Sequence, residues 1–92
     1  MKAIFIKLLK DWFAEARLYK LDPPINEEKY AVITSAEIPT GYEMIIWPSD
    51  KDGNIKSHNG LKQSKRCQYK EFKLFIELFG YVQVGDVKRK PR

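Results

Sequence analysis

The sequence predicts a small α+β domain in the order helix, three-stranded antiparallel β-meander, helix and a short last strand, with both helices on one sheet face. Three observations carry that expectation. Apolar residues recur with helical spacing near each end of the chain, the stretch between them is rich in β-branched and aromatic residues, and Pro and Gly punctuate that stretch as turns do.

The first helix rests on Phe5, Leu8, Leu9, Trp12, Phe13 and Ala16, an i, i+3, i+4, i+7, i+8, i+11 series within Lys2 to Tyr19. Pro23 and Pro24 end it by Asp22, because the residue before a proline is pushed out of the α region. A linker then reaches Glu28. Tyr30 to Ala36 and Tyr42 to Trp47 read as two strands, joined through Glu37-Ile38-Pro39-Thr40-Gly41 by a hairpin loop of several residues. Pro48 and Asp50-Lys51-Asp52-Gly53-Asn54 make the next turn, and Asn54 to Ser57 returns as the third strand of the meander.

Asn59-Gly60 is another turn signal, and Leu61 to Arg66 is polar, basic and without period, which reads as a loop. Phe72, Phe75, Ile76 and Phe79 restore the helical spacing, so the second helix is expected from Gln68 to Phe79 with Gly80 capping it. Tyr81 to Val84 is the short final strand. Residues 1–85 thus form one domain, and Asp86 to Arg92 reads as a flexible basic tail.

A chain of 92 residues buries roughly 60–65% of its unfolded surface, enough for one modest core. Its aromatic residues supply that core. A single cysteine, Cys67, makes no internal disulfide and points to a reducing, cytoplasmic setting. The apolar run Ala3 to Ile6 is interrupted by Lys7 and Lys10 too soon for a signal peptide, and no segment reaches the roughly 18 apolar residues of a spanning helix, so no membrane role is expected.

Charge is the feature that bears on partners. Up to Pro48 six Lys/Arg stand against seven acids; from Ser49 onward eleven stand against five, so the whole excess of +5 comes from the second half. A field of that sign attracts phosphates or acidic protein surfaces. Lys56, Lys62, Lys65, Arg66, Lys70 and Lys73 form the densest basic stretch, with Tyr69 inside it and Trp47 on the preceding hairpin as aromatic contacts. These eight residues are the candidate binding set.

Motifs that would carry catalysis or a cofactor are absent from the sequence. His58 is the only histidine and has no sequence partner for a triad. Lys65 and Arg66 beside Cys67 favour its thiolate, but reactivity alone makes no enzyme. Asp50 to Asn54 resembles a calcium loop only in part: with Gly53 at the glycine position, Pro48 falls on the first ligand and Asn59 on the twelfth. No cofactor, metal or small-molecule substrate is expected.

The expected function is therefore that of a small non-catalytic binding module for an acidic surface on a partner protein or complex. Nucleic-acid binding through residues 56–73 and the C-terminal tail is the alternative. In size and basicity the chain is similar to small accessory proteins of bacteria, phages and mobile elements, a likeness of composition alone. Ile4, Ile6 and Leu18 lie off the first apolar stripe and Leu74 and Leu78 off the second, which leaves two-sided burial and a homodimer as open alternatives.

Overall fold

The computed structural model describes residues 1–10, 12, 14–56, 63–67 and 71–86, with residues 63–67 placed as backbone. The chain is built on a sheet, not on helix, meander and helix. Its elements are β1 (Lys2–Leu9), β2 (Glu15–Ile25), β3 (Glu28–Ile38), β4 (Gly41–Ser49), β5 (Gln63–Cys67), α1 (Phe72–Glu77) and β6 (Val82–Val84). The six strands lie in the order β5-β4-β3-β2-β1-β6. β1 to β4 form a consecutive antiparallel meander, β5 adds antiparallel to β4, and β6 adds parallel to β1.

The expected first helix is instead the β1–β2 hairpin. A bulge between Phe5 and Lys7 changes which side of the strand faces each way. Ala3 and Phe5 consequently pack on one face of the sheet, while Leu9, Trp12 and Ala16 pack on the other. Apolar residues from two faces interleave in the sequence and imitate helical spacing. Phe13 lies outside the described residues. The expected linker before Glu28 is also strand, because β2 continues to Ile25 with Pro23 and Pro24 in an irregular stretch between its Lys20 and Ile25 pairings. Asn26 and Glu27, at φ 48° and 69°, make the tight turn into β3.

β3 and β4 contain the two expected strands and extend them. Their loop is shorter than expected: Ile38 pairs with Gly41, leaving only Pro39 and Thr40 between, with Gly41 at φ 133° absorbing the reversal. The expected third strand is reduced to one bridge, Ser49 to Ile55, and Ser57 lies outside the described residues. Part of the expected Leu61–Arg66 loop is the edge strand β5, in register from Tyr42 opposite Cys67 to Ile46 opposite Gln63. The second helix is the six-residue α1, shorter than Gln68 to Phe79.

β5 and β6 sit at opposite edges, so the chain between them must cross the sheet, roughly 24 Å at strand spacing. α1, about 9 Å long, covers part of that path and buries Phe72, Phe75 and Ile76 in one cluster with Tyr19, Leu21, Ile33, Met44 and Ile46. It ends in a Schellman closure: Gly80 N–H donates to Glu77 O (3.0 Å) and Tyr81 N–H to Ile76 O (3.3 Å), with Gly80 at φ 82°. The opposite face has its own smaller cluster, in which Ala16, Leu18 and Val32 lie under Leu9, Trp12, Tyr30, Trp47 and Ile55. The 50–56 turn closes over this cluster at Gly53.

Two substitutions test this backbone. A Cβ on Gly53 would meet Leu9 Cδ2 at 2.9 Å, and its φ of 90° is disfavoured for any side chain. Gly53→Ala is expected to cost about 1–3 kcal/mol in chemical denaturation. Glu27→Gly relieves a left-handed non-glycine residue and is expected to raise stability by about 0.5–1 kcal/mol in the same assay.

Candidate functional site

Of the candidate binding residues, Lys56, Lys73 and Trp47 are described with their side chains and do not share one patch. Lys56 follows the Ser49–Ile55 bridge at one end of the sheet, and its ammonium pairs with the Glu28 carboxylate at 3.0 Å. It borders an open cleft of about 500 Å³ between the Glu27–Tyr30 and Ser49–Lys56 segments. Lys29 and Lys51 also line that cleft, but so do Glu27, Asp50 and Asp52, so its charges balance. Lys73 is exposed on α1, over the face opposite Trp47. Lys62, Tyr69 and Lys70 lie outside the described residues.

Lys65 and Arg66 take consecutive positions in β5, opposite Met44 and Glu43. Those two β4 positions belong to different faces of the sheet, and Met44 is wholly buried on the α1 side. The basic doublet therefore takes consecutive register positions on the edge strand of the sheet.

Trp47 is half-buried in the smaller cluster, where its indole Nε1 donates to Thr34 Oγ1 at 3.0 Å. That bond fixes the ring against Val32, its partner across the β3–β4 ladder. The aromatic residue is held as part of the packing.

The resemblance of Asp50 to Asn54 to a calcium loop resolves into a side-chain-stapled turn. Asp50 Oδ1 accepts from the backbone N–H groups of Asp52 (2.8 Å) and Asn54 (2.9 Å), and Oδ2 accepts from Asn54 Nδ2 (3.0 Å). These bonds, the Asn54 side-chain bond foremost, hold the Asp50 carboxyl below its ordinary pKa. Among the described residues no group of three or more His, Cys, Asp or Glu is arranged to hold a metal. His58 lies outside the described residues, and Cys67 closes β5 opposite Tyr42. Among those same residues no helix is long and apolar enough to cross a membrane.

Among the described residues, one connected polar cluster is of a kind that sequence reasoning missed. Arg17 on β2 pairs with Glu15 (3.2 Å) and Asp86 (2.9 Å), and its guanidinium carbon stands 4.1 Å from the Phe72 ring centroid and 5.9 Å from that of Phe5. Tyr19, two residues along on the same face, donates its hydroxyl to Gln83 Oε1 at 3.1 Å. Gln83 Nε2 in turn donates to Gly85 O at 3.0 Å. Small Ala3 lies in register with Gln83 on one side and Leu21 on the other, which lets this bond pass over β1. The sequence signal was the Glu15–Arg17 pair, whose spacing of two puts both residues on one face of a strand. Asp86, expected to begin a flexible tail, is engaged here, and residues 87–92 lie outside the described residues.

Comparison with protein-family models, with curated proteins and with solved structures finds no match for this chain.

Burial pushes the Tyr19 phenol up to about 12, against smaller lowering contributions from Arg17. A raised phenol favours the folded state below pH 10, where both states are protonated at this site. That contribution disappears between pH 10 and 12 as the unfolded chain ionises first. Tyr19→Phe should therefore flatten the alkaline loss of stability over that window, measured by denaturant midpoints from pH 8 to 12. An unchanged pH profile would show that Tyr19 does not carry it.

Proposed function

We propose that the chain is a non-catalytic binding module of a reducing, cytoplasmic compartment, whose partner is an acidic surface on another protein. The observation that carries this reading is the position of Lys65 and Arg66 on the edge strand β5, in the half of the chain that holds the positive excess. A basic sheet edge meets acidic protein surface by charge complementarity, which sets encounter rate and orientation. The likeness in composition to small accessory proteins that bind a host complex agrees with it.

Protein is favoured over nucleic acid by how the charges of the described residues are spread. Phosphate recognition takes a row of cations along one face or groove. Here Lys56 is paired with Glu28, Lys29 and Lys51 share their cleft with three carboxylates, and Lys73 is carried on α1. What supports a partner of acidic protein is the Lys65–Arg66 doublet set on an edge.

The reading is tested by titrating poly-glutamate, single-stranded DNA and duplex DNA against the protein over a range of salt. Poly-glutamate is expected to bind more tightly than either DNA, and Lys65→Gln with Arg66→Gln should weaken it at least tenfold while leaving stability within about 0.5 kcal/mol. Tighter DNA binding with a steep log-linear salt dependence would move the function to nucleic acid.

A further inference from the structure

We propose that the β5 edge binds its partner by strand addition: an extended acidic segment of another protein pairs with Gln63–Cys67 as a further strand of the sheet. The proposal rests on the acidic-partner reading above and specifies how that partner is held.

Four observations lead to it. First, the sheet ends at β5 and β6, and among the described residues each has a single strand neighbour. An edge strand directs the N–H and C=O of every second residue away from its neighbour, which makes it a template for another chain. Second, the two edges differ. β6 has three residues, is followed by Gly85 at φ 81°, and is tied down through Gln83 and Asp86. β5 has five residues in unbroken register along the nine-residue β4.

Third, the edge is selective. Lys and Arg on an edge strand repel an identical edge, so a second copy of β5 is a poor occupant. The same charges favour a strand bearing acids. Fourth, Lys65 and Arg66 hold consecutive positions, opposite residues on different faces of β4. A strand in register with both positions carries two consecutive acidic residues opposite them, which alternate acids do not supply. The ligand class is thus an extended segment with an acidic doublet between β-forming residues. Main-chain hydrogen bonds supply affinity and the doublet supplies register.

The test uses three blocked peptides on the full chain: Thr-Val-Glu-Glu-Val-Thr, its isomer Thr-Glu-Val-Glu-Val-Thr, and the first sequence N-methylated at every residue. The first should bind, slow amide exchange within Gln63–Cys67, and weaken at least tenfold with Lys65→Gln and Arg66→Gln. The isomer should bind several-fold more weakly. The N-methylated peptide keeps the charge and loses backbone donors, so it should lose at least tenfold. Equal binding of the parent and N-methylated peptides, or protection outside β5, would overturn strand addition while leaving the acidic partner in place. Failure of all three peptides together with poly-glutamate would remove the acidic-partner reading itself.

Discussion

The arrangement depends most on the contact of Arg17 with the C-terminal part of the chain. α1 has six residues and β6 three, and neither length is stable alone in water. Their apolar residues hold them to the sheet, but register comes from polar ties. The Arg17 guanidinium lies over the Phe72 ring at the start of α1 and pairs with Asp86 just past β6, so one side chain joins both ends of the segment to β2. A cation over an aromatic face contributes roughly 0.5–2 kcal/mol according to burial. An ion pair with an exposed partner adds less than about 1 kcal/mol. The Tyr19–Gln83 bond adds a third tie over Ala3. If these fail together, α1 and β6 keep their apolar anchors of Phe72, Phe75, Ile76 and Tyr81 but lose the polar ties that hold both ends of the segment to β2.

That tie also explains the asymmetry between the two edges. β6 has three residues and is fixed by side chains that reach back to β2, whereas β5 pairs with β4 over five residues. Positive charge is in excess toward the C-terminal half, and among the described residues the fold separates it: Lys56 to a carboxylate at the sheet end, Lys73 to α1, and the Lys65–Arg66 doublet to the edge.

The central hairpin was legible in the sequence because β3 and β4 obey local rules. Tyr30 to Ala36 and Tyr42 to Trp47 are strand-forming runs punctuated by Pro and Gly, and tertiary context only lengthened them. The first quarter was not legible, because a sheet buried on both faces loses simple alternation and a bulge in β1 completes the imitation of a helix. β5 was read as loop because Gln-Ser-Lys-Arg-Cys has almost no strand propensity of its own; its pairing with β4 is a property of the neighbour. Lys65 and Arg66 were legible as candidates by charge, but not their separation from Lys56 and Lys73, which only topology determines. Arg17 was illegible for a similar reason, as its partners Phe72 and Asp86 lie far along the chain.

Native-state amide hydrogen exchange on Arg17→Met, a substitution that keeps the apolar stem and removes the charge, tests the account most directly. The account predicts that amides of Phe72–Glu77 and Val82–Val84 lose protection together, by about tenfold or more, while those in the β2–β4 ladders keep theirs. Uniform loss across the whole sheet, or unchanged protection of α1 and β6, would contradict the claim that Arg17 holds the C-terminal segment to the sheet.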